Sequence, residues 1–233
     1  MKNIVVVGAG KGIGLKTVVH LCKQNHVVSI SRNLTPELQQ LNTQFFELDV
    51  TSDNFEILNN LPDEIHGLVY CPGSINLKPF NRLQSQDFLN DFKQNVLGAI
   101  NIIQKLLPNL KKANGSSVVL FSTVASKLGM PFHASIATSK SAVEGLAKSL
   151  SAEYASNKIR FNVIAPSLTD TPLANFLLNT DEKREASNKR HPLLRIGTAN
   201  EMAEIVSFLI SDSSSWITGQ IIGVDGGMGS LKV

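Results

Sequence analysis

The 233-residue sequence has little of what marks the specialised protein classes. Its two cysteines, Cys22 and Cys71, lie far apart with no CxxC pair, which argues against a disulfide framework and predicts reduced thiols. Apolar runs are short. After Met1-Lys2, the run Ile4 to Val7 stops at glycine, too brief for a signal h-region or a membrane span, so a cytoplasmic protein without a membrane partner is expected. Charge is sparse: Asp, Glu, Lys and Arg make up 18%, and 22 Lys and Arg against 19 Asp and Glu leave +3. That small, evenly spread excess gives no nucleic-acid footprint. Tyrosine is scarcer still, with only Tyr70 and Tyr154 in the chain. Repeats and low-complexity tracts are absent as well.

What remains is an ordinary globular composition, 42% hydrophobic, in a chain long enough to bury roughly 70% of its unfolded surface without a metal or disulfide staple. Short β-branched runs alternate with segments of helical period. This predicts one α/β domain over residues 1–233, a doubly wound (Rossmann) parallel sheet of about seven strands with helices on both faces. The strands are expected at Ile4–Val7, His26–Ser31, Phe45–Leu48, Gly67–Cys71, Ser117–Phe121, Arg160–Ile164 and Gln220–Val224. The clearest helix runs from about Ser135 to Ala155, where Val143, Leu146, Ala147, Leu150 and Tyr154 recur at spacings of three and four, and Glu144, Lys148 and Glu153 occupy the opposite face. The stretch 169–192, polar from Thr180 to Arg190, reads as an inserted mobile segment covering a substrate.

The first chemical signal is Gly8-Ala9-Gly10-Lys11-Gly12-Ile13-Gly14, between the first strand and the helical pattern Leu15–Cys22. Glycines there let the backbone turn sharply and approach a pyrophosphate, which the free amides of the helix start stabilise. A tight turn alone would use glycine too, but the strand-glycine-helix order favours a dinucleotide site. At the end of the second strand an acidic side chain would hold the ribose hydroxyls of NAD. The residues here are Ser31 and Arg32, and Lys11 reaches the same region, so NADP(H) is the expected cofactor.

With these pieces in place, the sequence resembles the short-chain dehydrogenase/reductase family over essentially its whole length. Gly8, Gly12 and Gly14 match the family's glycine loop, and Asp49-Val50 matches the pair that contacts adenine. Tyr70-Cys71-Pro72-Gly73 stands where the family carries Asn-Asn-Ala-Gly, a change expected to disturb the hydrogen bonds of the fourth strand. Asn95 matches the helix asparagine, and Arg160 through Pro166-Ser167 resembles the segment ending in Pro-Gly, with Ser167 in the glycine's place. The segments His191–Gly197 and Thr218–Gly227 are similar to the carboxyl-terminal motifs of the shorter members. The resemblance implies that Gly8, Lys11, Gly12, Ile13, Gly14, Ser31, Arg32, Asp49, Val50, Cys71, Gly73, Lys140, Pro166 and Thr171 hold the cofactor, Thr171 facing the nicotinamide amide. It also implies a homodimer or homotetramer built through the helices around Asn95–Leu107 and Ser135–Ala155.

The catalytic segment departs from that pattern. The family places a Tyr four positions before the helix lysine and a Ser thirteen before that Tyr; counting back from Lys140 gives Ile136 and Thr123. Isoleucine has no proton to donate, whereas a phenol beside the lysine ordinarily protonates the alkoxide formed on reduction. Thr123, Lys140 and Asn95 remain as a substrate-bonding hydroxyl, a ribose-holding ammonium and the anchor of a water. His133, seven before Lys140, occupies a position similar to the Tyr of bacterial enoyl-thioester reductases, with Ile136 where those carry Met. An imidazole titrates near neutrality and can give a proton, although a loop histidine is more often simply solvated. Three readings follow: an NADP(H)-dependent oxidoreductase acting on a carbonyl or polarised double bond of a small-molecule or acyl-chain substrate; a catalytically decayed NADP(H)-binding sensor or scaffold; and a structural subunit of a related hetero-oligomer.

Overall fold

The computed structural model describes residues 1–232. Its centre is a sheet of seven strands: β1 (Asn3–Val7), β2 (His26–Ser31), β3 (Thr43–Glu47), β4 (Gly67–Tyr70), β5 (Ser116–Phe121), β6 (Ile159–Pro166) and, last in the chain, β9 (Ile221–Val224). They run in the order β3-β2-β1-β4-β5-β6-β9, and every pairing is parallel. All seven expected strands are present, their ends displaced by no more than two residues.

Parallel strands need crossovers, and the crossovers bury both faces of the sheet. The helices are α1 (Gly12–Leu21), α2 (Pro36–Gln39), α3 (Ser85–Phe92), α4 (Gly98–Lys112), α5 (Ala134–Tyr154), α6 (Asp181–Lys189) and α7 (Ala199–Ile210). Side chains alternate along β1, so Val5 and Val7 join the layer under α4 and α5 while Ile4 and Val6 join the layer under α1 and α7. Ile102, Leu106 and Leu110 of α4 fill the first layer, and Val18 of α1 with Met202 and Val206 of α7 fill the second. This is why the strand sequences read as nearly continuous apolar runs.

Two expectations need correction, and one segment is more regular than its polar sequence suggests. The stretch 169–192, expected as an inserted mobile segment, carries regular structure: β7 (Thr169–Asp170) pairs with β8 (Gly197–Thr198), a 3-10 turn spans Pro172–Leu177, and α6 follows. The helix forms because Thr180 accepts a hydrogen bond from the Lys183 amide, Asp181 and Glu182 occupy the first turn, and Glu185 pairs with Lys189 at 2.6 Å. Glu144 is not on a solvated face of α5; it is half-buried and accepts a hydrogen bond of 2.5 Å from Ser122, the residue after β5. Nor does Tyr70-Cys71-Pro72 disturb the fourth strand. Tyr70 stays in register with Val7 and Leu120, and the Cys71 amide donates to the Val7 carbonyl at 2.9 Å.

The ring of Tyr70 is accommodated from below. Its buried hydroxyl donates to the Gln94 carbonyl at 2.6 Å, and a Cβ on Gly98 would overlap that hydroxyl while lying 3.1 Å from Val50. Glycine at 98 is therefore a packing requirement of tyrosine at 70. Gly98→Ala should cost about 1–3 kcal/mol through overpacking, and Tyr70→Phe about 1 kcal/mol for the lost hydrogen bond. In urea unfolding the double variant should lose less than the sum of the two, because removing the hydroxyl relieves the clash; strict additivity would show that the two positions are not coupled.

Candidate active site

The strand order reverses between β1 and β4, which opens a crevice beyond the carboxyl ends of the sheet. One side of the crevice is the glycine turn. Gly8 (φ 80°) and Gly12 (φ 56°) take left-handed conformations, and a Cβ on Gly14 would overlap the Gly8 carbonyl oxygen, so only glycine lets α1 begin against the end of β1. Lys11 caps α1 without a side-chain hydrogen bond, so no side chain satisfies the helix's opening amides. These donors and this cradle fit a pyrophosphate. Thr171 closes over the turn: a Cβ on Gly12 would come within 3.4 Å of its Cβ.

At the end of β2 there is no carboxylate. The Ser31 hydroxyl donates to the Asn33 carbonyl at 2.8 Å, while Arg32 and Lys11 are exposed and, among the described residues, enter no salt bridge. The exposed carboxylate of Asp49 accepts from the Thr51 amide at 2.9 Å and its hydroxyl at 2.8 Å. Those bonds hold its pKa below the usual value, with a smaller pull from Arg32 and Lys93. Val50 lies buried beside Gly98.

The crevice deepens into a cavity of about 500 Å³. It brings together Ile13, Cys71, Gly73, Pro166 and Thr171 with Thr123, His133 and Lys140; Ile136 forms part of its wall. The other predicted residues do not line it. Gly8, Lys11, Gly12, Gly14, Ser31, Arg32, Asp49 and Val50 belong to the open half of the crevice or beneath it, and Asn95 is wholly buried behind Gly73.

Lys140 is 8% exposed, and its ammonium donates to the Phe121 carbonyl at the end of β5 at 2.9 Å. Burial brings its pKa down to about 8, against the opposing pulls of Cys71 and Asp91. Burial also pushes the Cys71 thiol up to about 12, so it is a neutral lining group rather than a nucleophile. A Cβ on Gly73 would lie 3.4 Å from both Lys140 Nζ and Asn95 Oδ1. Asn95 Nδ2 donates to the Asp91 carbonyl at 2.7 Å and the Ser74 hydroxyl at 3.0 Å, whereas its Oδ1 has no partner. Such a buried orphan acceptor beside an ammonium suits a bridging water. Thr123 Oγ1 accepts from the Ala125 amide at 3.3 Å, which leaves its own proton free. His133 Nδ1 lies 2.7 Å from the Pro131 carbonyl; a carbonyl only accepts, so Nδ1 carries hydrogen and Nε2 is the free nitrogen.

Two polar clusters beside the cavity escaped the sequence reading. The buried Asp91 carboxylate accepts hydroxyl donors from Ser74 at 2.6 Å and Ser135 at 2.5 Å. Its position four before Asn95 was the available signal, but an isolated Asp on a helix ordinarily reads as solvated. Buried His191 takes the Ser167 hydroxyl at Nε2, 2.8 Å, and donates from Nδ1 to the Ser187 carbonyl, 2.8 Å. Both residues had been placed in motifs, yet nothing at a separation of 24 positions paired them. Among the described residues no helix is long and apolar enough to cross a membrane, and no group of three His, Cys, Asp or Glu side chains is placed to hold a metal.

A family model described as enoyl-(acyl carrier protein) reductase matches residues 8–229. The chain is 31% identical to a tropinone reductase homolog of Arabidopsis thaliana, over 97% of this chain and 92% of the relative. It is 30% identical to the 3-oxoacyl-(acyl-carrier-protein) reductase FabG of Thermotoga maritima, over 97% of each. Among solved structures it is similar to ElxO with NADP bound, at a TM-score of 0.90 and 25% identity, covering 99% of both chains.

The buried ammonium has a consequence for stability. Its folded pKa, about 8, lies below the 10.5 of a lysine in water. Below pH 8 both folded and unfolded states are protonated and the burial penalty is fully present. As pH rises from 8 to 10.5 the unfolded chain binds more protons, so stability rises and the penalty fades. Lys140→Met should therefore be more stable than the wild type in urea at pH 7, with the gap narrowing by pH 10; a gap independent of pH would contradict the burial of a charged lysine.

Proposed function

The chain belongs to the short-chain dehydrogenase/reductase family of oxidoreductases, and from that premise we propose that it is an NADP(H)-dependent reductase of a carbonyl or a polarised carbon–carbon double bond. The observation that carries this reading is the shared cavity: Lys140, Thr123 and His133 open into the same space as Ile13, Pro166 and Thr171, side chains expected to hold the cofactor. The names of the relatives, reductases of acyl-carrier-protein thioesters among them, favour an acyl-chain substrate, and the NADP-bound structural relative favours the phosphorylated cofactor.

When bound, the dinucleotide supplies a hydride. The glycine turn and the start of α1 hold its pyrophosphate, Arg32 and Lys11 its 2′-phosphate, Asp49 and Val50 its adenine, and Lys140 its nicotinamide ribose. Ser31 contributes by being neutral, since its hydroxyl is already spent on Asn33. Thr123 uses its free proton to bond and orient the substrate oxygen. Asn95 Oδ1 anchors a water next to Lys140 Nζ and so connects the ammonium to a proton source.

Ile136, 6% exposed, gives the wall an apolar surface where the family has its phenol. The proton therefore comes from another group, and among the described lining residues His133 is the titratable side chain besides the lysines, the arginine and the Cys71 thiol, which burial keeps protonated. With Nδ1 tied to Pro131, the imidazolium presents Nε2–H as the donor. The same isoleucine also favours a second reading, a cofactor-binding sensor or scaffold without turnover. Association into a homodimer or homotetramer is part of the proposal and is supported by Leu89, Phe92 and Leu97, which stand exposed along α3 and the turn that follows.

Cofactor choice is checked by fluorescence titration. NADPH should bind more tightly than NADH by about 1.5–3 kcal/mol for each charge-assisted phosphate contact. Arg32→Ala should narrow that gap more than Lys11→Ala, and equal wild-type affinities would sink the assignment.

The acid is checked by NADPH oxidation across ketone, enone and enoyl-thioester panels. Ile136→Tyr puts a phenol one turn before Lys140, whose charge lowers its pKa, so ketone reduction should rise; His133→Ala should lower the wild type's own activity by ~10² or more. Brisk wild-type ketone reduction indifferent to His133 would show the acid to be elsewhere. Tight NADPH binding without turnover in any variant would favour the sensor.

A further inference from the structure

The cavity is lined by apolar side chains, by neutral polar ones such as Thr123 and Ser167, and by cations, and among its described lining residues there is no aspartate or glutamate. Besides Lys140, its cations are Lys183 and Arg190, both from the helix that covers it. Lys183, Ala186, Ser187 and Arg190 all face the cavity, at the spacing i, i+3, i+4, i+7 that defines one side of a helix.

The remaining cations of this segment are neutralised. Arg184 pairs with Asp170 at 2.7 Å and Lys189 with Glu185 at 2.6 Å, both on other sides of α6. The Glu182 carboxylate is turned to the helix start, held there by its own amide and Thr180. The two cations facing the cavity have no carboxylate partner among the described residues. Lys183 Nζ donates to neutral groups, the Asn179 side-chain oxygen at 2.9 Å and the Phe176 carbonyl at 3.3 Å. The Arg190 guanidinium makes no hydrogen bond to another described residue, although it follows Ser187 and Lys189 at the helix end, where it is exposed at the cavity rim. Facing these charges, Leu173, Phe176 and Leu177 from the preceding turn and Ile75 and Leu77 from the loop after β4 form apolar wall.

Resting on the reductase reading above, we propose that this cavity selects substrates that carry an oxyanion on an apolar chain, with the chain against Leu173, Phe176 and Leu177 and the anion on Arg190. Arg190 is the primary contact because its planar fork of donors is unspent and matches a carboxylate or a phosphate in bidentate geometry. Lys183 adds to the local positive field, and it contributes less because its ammonium is already hydrogen-bonded. An uncharged chain of the same length gains only the apolar contact. An aspartate or glutamate on the wall would cancel the preference, and there is none among the described lining residues.

The test is calorimetric titration of the full-length protein, with and without saturating NADP⁺, by octanoate, octyl phosphate and octanamide. At least one of the two anions should bind about ten-fold or more tightly than octanamide, and whichever anion is preferred identifies a carboxylate or a phosphate as the recognised group. Arg190→Gln should remove most of that preference, Arg190→Lys should restore part of it, and Lys183→Gln should reduce it less. Octanamide binding as tightly as both anions, a preference that survives Arg190→Gln, or no binding by any of the three would each overturn the proposal. Binding heat needs no turnover, so a failure of the reductase reading shows separately as absent NADPH oxidation in the same preparations while the anion preference stands.

Discussion

A single ammonium held out of water ties the fold of this protein to its site. Lys140 sits on α5 and is buried, so its charge has to be met by acceptors of the protein in place of water. The first acceptor is the Phe121 carbonyl, available because β5 ends there and its last carbonyl is free of the ladder. The next lies across Gly73, whose missing side chain leaves Lys140 Nζ and Asn95 Oδ1 facing the same small space. Asn95 itself depends on a local break in helical bonding. Its side-chain amide takes the Asp91 carbonyl, which an uninterrupted α-helix would give to the Asn95 backbone amide, and the turn Lys93–Leu97 is accordingly a π-turn. The buried charge thus draws on β5, the loop after β4 and the one widened turn between α3 and α4.

Replacing the phenol with Ile136 changes the chemistry of the wall without disturbing that arrangement. An isoleucine neither competes for the Lys140 ammonium nor needs a partner of its own, so the ammonium keeps its bond to Phe121 and its place near Asn95. The cost falls on proton supply alone. In the proposed reaction, negative charge develops on a substrate oxygen in a cavity whose lining holds Lys140, Lys183 and Arg190 and no carboxylate. Oriented positive charge at that oxygen stabilises the development before any proton arrives, which lessens the demand on the donor. An enolate delocalised over a thioester needs less help from an acid than a localised alkoxide, so this electrostatic environment is better matched to a conjugated double bond than to a simple ketone.

The sheet was legible because its inner strands β1, β2, β4, β5 and β6 are buried on both faces, and burial on both faces writes a continuous apolar run that periodicity detects; the edge strands β3 and β9 are only partly buried. The glycine turn was legible because backbone conformation restricts it directly: Gly8 and Gly12 have positive φ, and Gly14 has no room for a side chain. Lys140, Thr123 and Asn95 were found by spacing along a known pattern. The hydrogen bond of Ser122 to Glu144, the acceptance of Ser74 and Ser135 by Asp91, and the bond of Ser167 to His191 were not, because each joins residues far apart in sequence through side chains whose ordinary place is at the surface. Helix α6 was obscured differently. Its stability comes from a threonine cap, two acids in the first turn and an ion pair, features that a search for apolar periodicity passes over.

The segment that covers the cavity is fixed at three points, each joining one of its own residues to a neighbouring element. Thr171 rests on Gly12 at the start of α1, β7 pairs with β8 ahead of α7, and Ser167 at the end of β6 bonds to His191 just past α6. Between these anchors the chain positions Leu173, Phe176, Leu177, Lys183 and Arg190 along the cavity. The groups of the proposed proton chemistry, Lys140, Thr123, His133 and Asn95, come instead from α5, the connection between β5 and α5, and the π-turn. Side chains on the anchored segment can therefore change what the cavity admits while leaving the buried ammonium and its acceptors in place. The imidazole of His191 is suited to its anchoring role because both nitrogens have partners, Nδ1 donating to the Ser187 carbonyl and Nε2 bonded to the Ser167 hydroxyl, so that burying it leaves no ring nitrogen unpaired. Removing the Ser167 hydroxyl would leave a buried ring nitrogen without a partner and loosen the end of α6 beside Arg190, a route by which the proposed substrate preference can be altered from a residue that carries no charge.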